Sequence, residues 1–118
     1  MSAIVLIVED EVLLRMQAVQ IVEEAGLDVL EAANAQDAIS ILESRGDIRI
    51  VFTDIQMPGS MDGLALAWAV RDRWPPIAII ITSGRVRPAT HEMPANVNYV
   101  SKPYVAQDLA ALVCKLAA

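Results

Sequence analysis

The chain is 118 residues long and 55% hydrophobic, which predicts one folded domain spanning residues 1–118 and excludes an intrinsically disordered protein. Its 15 acidic and 9 basic residues give a net charge of -6, so direct binding to nucleic acid or to an anionic membrane surface is not expected. Cys114 is the single cysteine and no apolar run approaches the roughly 20 residues of a membrane span, which favours a reducing cytoplasm.

The first half of the chain predicts two strand-helix units. Ala3–Val8 is apolar without polar alternation, which indicates a strand covered on both faces, as in a parallel sheet. Apolar residues then recur at helical spacing over Glu11–Ala25. A second strand is predicted at Val29–Ala33, followed by a helix over Ala35–Arg45 that Asn34 can cap.

The second half of the chain continues the alternation. A third strand is predicted at Ile48–Thr53, and a third helix over Met61–Trp74 that two prolines stop. Ile77–Thr82 is so apolar that it should be a central strand, and Asn96–Ser101 predicts a shorter fifth strand. The last helix has its apolar positions at helical spacing: Leu109, Leu112, Val113 and Leu116.

The segment between the fourth and fifth strands departs from this regularity. Within Gly84–Asn98, Pro88 can only start a helix and Pro94 must end it. The fourth helix is therefore predicted to be shortened, with about two turns at best. Its few apolar anchors are Val86, Ala89 and Met93.

Five strands alternating with helices predict a five-stranded parallel sheet of the doubly wound α/β class. Such sheets bind ligands at the carboxyl ends of their strands, where the strand order reverses. Every predicted strand end except the second is followed by a polar residue that can carry chemistry. These residues are Glu9 and Asp10, Asp54, Ser83, and Lys102.

The three carboxylates among these residues would repel one another in one crevice unless a cation lay between them. Oxygen ligands suit Mg²⁺ or Mn²⁺. Lys102 is one of two lysines in the chain and can bind an anionic oxygen, and Ser83 adds a hydroxyl donor beside the small Gly84. A carboxylate nucleophile, a divalent metal, a lysine and a hydroxyl are the parts that phosphoryl transfer requires.

At these residues the sequence resembles the receiver domain of bacterial two-component response regulators, from Ile4 to Leu116. The resemblance rests on several short motifs: Glu9-Asp10, Asp54 with Met57-Pro58 and Asp62-Gly63, Ser83-Gly84, and Tyr99 with Lys102-Pro103-Tyr104. It implies a flavodoxin-like or CheY-like fold and a phosphorylation-dependent switch without an enzymatic activity of its own beyond self-phosphorylation and self-dephosphorylation. The chain looks like a stand-alone receiver.

The resemblance also implies a role for each residue. Asp54 would accept a phosphoryl group from a phosphohistidine of a sensor histidine kinase or a histidine phosphotransfer protein. Asp10, Asp54 and the backbone carbonyl of Gln56 would bind Mg²⁺, and Glu9 would act through water. Lys102 would pair with Asp54 and the phosphoryl oxygens. Ser83 would turn toward the phosphoryl group while Tyr99 swings inward, which would change the binding of a downstream protein that the sequence does not identify.

Two departures from the family pattern affect these assignments. Thr82 and Ser83 are adjacent hydroxyls, and we choose Ser83 because a small residue follows it. The turn from Pro58 to Gly63 looks one residue longer than the common form, which should shift the loop without changing the chemistry.

Other functions remain to be weighed against the switch. A phosphatase of the haloacid-dehalogenase type also uses an aspartate after a strand, but it needs a second acid two residues later, where this chain has Gln56. A dinucleotide-binding enzyme needs a glycine-rich turn after the first strand, where this chain has three acidic residues. A scaffold without phosphorylation would have lost Asp54, Lys102 or the acidic pair.

Several other residues predict no site. His91 is the sole histidine and is expected to be solvated, and Cys114 is expected to be a buried, inert thiol on the core side of the last helix. The pairs Arg71 with Arg73, and Arg85 with Arg87, are too small for nucleic-acid binding.

Overall fold

The computed structural model describes residues 3–85 and 87–118. The strands within them are β1 (Ile4–Val8), β2 (Asp28–Ala32), β3 (Ile48–Asp54), β4 (Ala78–Ser83) and β5 (Val97–Ser101). The helices are α1 (Val12–Glu24), α2 (Ala35–Ser44), α3 (Gly63–Arg73) and α4 (Ala106–Ala117), with a single 3₁₀ turn, Thr90–Glu92, between β4 and β5. No helix in these two ranges is both long and apolar enough to cross a bilayer.

The five strands form one parallel sheet in the order β2-β1-β3-β4-β5. The predicted doubly wound α/β architecture is therefore confirmed. The strand order reverses between β1 and β3, and the pairing register brings their carboxyl ends level: Val8 lies opposite Thr53, and Asp54 lies opposite Thr82. Residues at or just after these strand ends consequently meet at one edge of the sheet.

Helices cover both faces of the sheet. Leu6 and Val8 of β1 pack on the face covered by α2 and α3, whereas Val5 and Ile7 pack on the face covered by α1 and α4. This alternation explains why β1 is apolar at every position rather than at every second one. Most of the largest fully buried side chains lie on β1, β3 and β4, and each helix adds one to the core: Val22, Leu42, Leu66 and Leu109.

Most element boundaries lie within one or two residues of their predicted positions. The prediction for the third helix started it at Met61, but α3 begins at Gly63. The reason is that the Asp62 side chain caps the helix by accepting a hydrogen bond of 2.8 Å from the backbone N–H of Ala65. Strands β3 and β4 extend one residue beyond their predicted ends, to Asp54 and Ser83, so both residues belong to the sheet itself.

The connection between β4 and β5 is less helical than predicted. The expected two turns are reduced to the 3₁₀ turn, which the Glu92 side chain closes by accepting a hydrogen bond of 2.8 Å from the N–H of Ala89. Of the expected apolar anchors, Met93 is buried in the core and Ala89 is exposed. Val86 lies outside the described residues.

Side chains of α3 attach this connection to the rest of the domain. Trp68 donates a hydrogen bond of 2.9 Å from Nε1 to the carbonyl of Glu92. The Arg71 guanidinium donates to four backbone carbonyls at 2.7–3.2 Å, two of them just before β4 and two just before β5: Pro75, Ile77, Ala95 and Asn96. Arg71 therefore has a structural role, which the sequence did not indicate when it showed only a pair with Arg73 too small for nucleic-acid binding.

The first residue of α3 has to be a glycine. A Cβ at Gly63 would lie 1.7 Å from the carbonyl oxygen of Asp54 and 2.9 Å from the Cα of Ile55. The Gly63 N–H also donates a hydrogen bond of 2.9 Å to the carbonyl of Ile55. The N-terminus of α3 is thus packed directly on the backbone that carries the Asp54 side chain.

We expect Gly63→Ala to lower the free energy of unfolding by about 1–3 kcal/mol, because the added methyl group must push α3 away from β3. Gly46→Ala is the matched control, since nothing lies within 4 Å of a Cβ built there. Urea denaturation of the two variants measures the difference. Equal stability of the two variants would contradict the close approach of α3 to Asp54.

Candidate functional site

Lys102 lies between two buried carboxylates at the carboxyl edge of the sheet. Its Nζ donates hydrogen bonds of 2.9 Å to Glu9 Oε1 and of 2.9 Å to Asp54 Oδ2. Glu9 follows β1, Asp54 ends β3, and Lys102 follows β5, so the three strands bring together residues far apart in the sequence. Glu9 and Asp54 are each only 6% exposed. One ammonium group thus balances two carboxylates from which water is largely excluded.

Asp10 completes an acidic cluster with the same two residues. Carboxylate oxygens of Glu9, Asp10 and Asp54 all lie within 4.8 Å of one another. Asp10 is only partly buried, which leaves the cluster open to solvent on one side. Three carboxylates at this separation are the donor set that a hard divalent cation prefers, and the residues therefore fit Mg²⁺.

Burial and pairing change the ionisation of this site. Burial raises the pKa of Glu9 above its ordinary value, because the hydrogen bonds from Lys102 and from the N–H of Glu11 only partly compensate. Burial alone would lower the pKa of Lys102, but its hydrogen bonds to Glu9 and Asp54 outweigh that effect and raise it. Lys102 therefore carries its charge throughout the physiological range of pH.

The two adjacent hydroxyls at the end of β4 point to different partners. Ser83 Oγ donates a hydrogen bond of 2.7 Å to Oε1 of the Gln56 side chain and accepts one of 3.0 Å from the N–H of Arg85. Thr82 Oγ1 instead donates to the carbonyl of Val100 on β5 at 2.6 Å. Gln56 follows Asp54 by two residues. The Ser83 hydroxyl is therefore connected to the acidic cluster through Gln56, whereas the Thr82 hydroxyl is bonded to β5.

Tyr99 lies on β5 and is partly buried against the core on the α2 and α3 side of the sheet. The guanidinium carbon of Arg87 lies 5.2 Å from the centre of its ring. Its hydroxyl is buried and makes no hydrogen bond within the part of the chain that the structure describes. Tyr99 is therefore a neighbour of the connection after Ser83 rather than of the carboxylates.

The structure brings together the predicted residues Glu9, Asp10, Asp54 and Lys102, with Ser83 one hydrogen bond further away. It also adds contacts that the sequence did not indicate. The Gln56 side chain bonds Ser83, although the sequence suggested only its backbone carbonyl as functional. The N–H of Glu11 donates a hydrogen bond of 3.2 Å to Glu9 Oε2 and so orients that carboxylate.

Cys114, to which the sequence assigned no function, differs from its prediction in its exposure to solvent. Cys114 was predicted to be buried, but it is exposed. Leu109 and Val113 occupy the core-facing positions of α4, and the residue after Val113 is turned about 100° away from it around the helix. His91 is exposed, as expected.

Comparison with known proteins agrees with this geometry. Residues 5–114 match the family described as the response regulator receiver domain. The sensor kinase CckA of Brucella abortus is 37% identical over 116 residues, which cover 95% of this chain and 12% of that protein. The aerobic respiration control protein ArcA of Escherichia coli K12 is 33% identical over 108 residues, which cover 89% of this chain and 44% of ArcA. The chain thus spans less than half the length of either relative.

Solved structures show the same architecture. A response regulator receiver domain protein from Clostridium thermocellum superposes with a TM-score of 0.88 at 26% identity, covering 97% of this chain and 93% of that one. A response regulator receiver protein from Pseudomonas putida gives 0.85 at 26% identity, covering 98% of both chains. With the family match over nearly the whole chain, these similarities establish that the chain belongs to the response regulator receiver domain family, whose members are phosphorylation-dependent signalling switches.

Proposed function

We propose that Asp54 is the phosphoacceptor of this receiver domain and that its modification changes the binding of a downstream protein. The observation that carries this proposal is the position of the Asp54 carboxylate, buried at the end of β3, with Lys102 on one oxygen and the carboxylates of Glu9 and Asp10 beside it. A carboxylate oxygen of Asp54 would attack phosphorus while the P–N bond of a phosphohistidine breaks. The imidazole of the donor would leave, and Asp54 would become an aspartyl phosphate.

The acidic residues would hold Mg²⁺ for this reaction. Asp10, Asp54 and the backbone carbonyl of Gln56 are the proposed ligands, with Glu9 acting through water. When bound, Mg²⁺ supplies positive charge that favours the approach of phosphoryl oxygens to this otherwise acidic crevice. The metal-free carboxylates repel one another, since Lys102 is the one ammonium group that the described residues place among them.

Lys102, Ser83 and Tyr99 would respond to the modification. Lys102 already bonds Asp54 and can bind a phosphoryl oxygen from the same place. Ser83 would rotate its hydroxyl toward the phosphoryl group, and Tyr99 would move with the connection that follows Ser83. This connection and the surface around Tyr99 are the parts that a downstream protein would sense.

The donor that we propose is a sensor histidine kinase or a histidine phosphotransfer protein. A net charge of -6 argues against nucleic acid as the direct target. We place the reaction in the cytoplasm, where the exposed thiol of Cys114 would stay reduced. We also propose that the domain has no further enzymatic activity.

The phosphatase alternative has little support at this site. The position where a haloacid-dehalogenase-type phosphatase needs its general acid is occupied by Gln56, which cannot donate a proton to a leaving group. Its side chain is also engaged by Ser83. The family match and the relatives favour signalling instead.

We expect acetyl phosphate with Mg²⁺ to add one phosphoryl group to the wild-type chain, and mass spectrometry to map it to Asp54. Asp54→Asn should reduce the modification to background, because the nucleophilic oxygen is lost. The control is Asp72→Asn, an exposed aspartate of α3, which should be modified like the wild type. Undiminished modification of Asp54→Asn would show that another residue is the acceptor.

Mg²⁺ should stabilise the folded chain, since it would bind only the assembled carboxylates. At a hundredfold excess over Kd the gain is about 2.7 kcal/mol, which corresponds to a melting temperature raised by roughly 10 °C. Asp10→Asn should remove most of this response and raise the melting temperature of the metal-free protein, because one repelling charge is gone. Asp72→Asn should respond like the wild type. A full Mg²⁺ response in Asp10→Asn would exclude Asp10 from the metal site.

Lys102→Met should destabilise the metal-free protein at pH 7 by about 1–3 kcal/mol, because two buried carboxylates lose their counter-ion. The pKa of Glu9, already raised in the folded protein, should rise further. A carboxyl group with a raised pKa contributes stability below its unfolded pKa, about 4.5, and loses it as the pH rises through the folded value. The deficit of the variant should therefore shrink as the pH is lowered from 7 toward 4.5.

Urea denaturation in the presence of EDTA measures this dependence. The matched control is Lys115→Met, which removes the other lysine of the chain from an exposed position on α4 and should change stability by no more than about 0.5 kcal/mol. A deficit in Lys102→Met that stays the same from pH 7 to pH 4.5 would mean that the lost stabilisation is packing of the lysine stem rather than charge balance.

A further inference from the structure

The Ser83 hydroxyl already uses its single hydrogen-bond donor. A serine hydroxyl offers one donor and can accept from others. The Ser83 hydroxyl donates a hydrogen bond of 2.7 Å to Gln56 Oε1, and its oxygen accepts one of 3.0 Å from the N–H of Arg85. Ser83 is only 1% exposed, so water offers little replacement for either bond. A new acceptor for the Ser83 proton therefore has to displace Gln56.

Backbone hydrogen bonds hold the segments that carry the two side chains next to each other. The N–H of Ile55, the residue before Gln56, donates a hydrogen bond of 3.0 Å to the carbonyl of Thr82. The carbonyl of Ile55 accepts one of 2.9 Å from the N–H of Gly63. The carbonyl of Ser83 accepts a hydrogen bond of 2.9 Å from the N–H of Lys102. Because these backbone hydrogen bonds hold the two segments together, the Ser83 hydroxyl and Gln56 can separate by side-chain rotation alone, and rotation about the Cα–Cβ bond of Ser83 turns the hydroxyl away from Gln56.

We propose that the Gln56 side chain is a positioning residue that holds the Ser83 hydroxyl in its unphosphorylated arrangement, in competition with a phosphoryl oxygen on Asp54. This inference rests on the proposed function and specifies how the same site is regulated. Gln56 is suited to the role because its N–H also lies 3.4 Å from Asp54 Oδ1, so the residue contacts the acceptor carboxylate and the switch hydroxyl together.

The competition predicts the direction and size of an effect. Removing the amide oxygen leaves the Ser83 proton without its acceptor in the unphosphorylated state, and the phosphoryl-like state then costs less to reach. The loss of a single neutral hydrogen bond predicts a change of about two- to tenfold in the equilibrium between the unphosphorylated and the phosphoryl-like arrangement. The hydroxyl of Thr82, which is bonded to Val100 on β5, takes no part in the competition.

Beryllofluoride with Mg²⁺ is the probe for this equilibrium, since it mimics a phosphoryl group on an aspartate. Gln56→Met keeps the length of the side chain and removes its hydrogen-bonding groups. We expect it to lower the apparent Kd for beryllofluoride about two- to tenfold relative to the wild type. In a Ser83→Ala background the same substitution should have no effect, because the proton that Gln56 retains is absent.

A second readout separates positioning from a general loosening of the loop. In Gln56→Met with Mg²⁺ alone, the NMR resonance of the Arg85 amide should move toward its position in the beryllofluoride complex, because its acceptor on Ser83 is freed to rotate. Gln36→Met is the matched control. It breaks an exposed glutamine-serine bond of 2.6 Å to Ser60 in the loop after Asp54, and it should leave both the Kd and the Arg85 resonance unchanged.

The outcomes distinguish this inference from the proposed function. If the wild type fails to bind beryllofluoride, or if Asp54→Asn binds it equally well, the proposed function is wrong and the inference falls with it. If the wild type binds through Asp54 but Gln56→Met leaves the Kd unchanged or raises it, only the inference is overturned. The same holds if Gln56→Met has the same effect with and without the Ser83 hydroxyl.

Discussion

The ion pairs between Lys102 and the carboxylates of Glu9 and Asp54 depend on one constraint, the parallel alignment of the strands. Adjacent strands are about 4.8 Å apart, and β4 lies between the strand that precedes Lys102 and the strand that ends in Asp54. The four-carbon stem of Lys102 reaches over the end of β4 and presents a compact charge to the Asp54 carboxylate. Lys102 therefore connects the edge strand β5 to the central strand β3.

Much of this arrangement could be predicted from the sequence. The apolar runs of β1 and β4 indicate strands buried on both faces, and helices between parallel strands leave few topologies. Once the topology is known, the rule that strand carboxyl ends meet at one edge places Glu9, Asp54, Ser83 and Lys102 together. The choice of Ser83 over Thr82 as the hydroxyl of the site stays a prediction; in the structure Ser83 bonds Gln56, and Thr82 bonds Val100.

The rest depends on contacts that have no local signal. Proline spacing indicated a short helix before β5, but in the described part of this connection the structure has a 3₁₀ turn, with the Glu92 carbonyl bonded to Trp68 and the Ala95 carbonyl bonded to Arg71 of α3. Those partners are distant in sequence, and an arginine on a helix surface looks the same whether its guanidinium is solvated or bonded to carbonyls. The prediction that Cys114 is buried was also wrong, because consecutive residues of a helix are turned about 100° from one another and Cys114 does not share the core-facing direction of Val113.

The two ends of the connection between β4 and β5 are attached to different parts of the domain. The part before β5 is attached through the carbonyls of Ala95 and Asn96 and through the buried Met93. The part directly after β4 is attached to Ser83 by the N–H of Arg85. A rotation of the Ser83 hydroxyl would therefore act first on the backbone next to β4, which donates a hydrogen bond to it directly. Under the proposed function, a partner whose footprint includes the residues next to Ser83 would contact the part of this connection that bonds the switch hydroxyl.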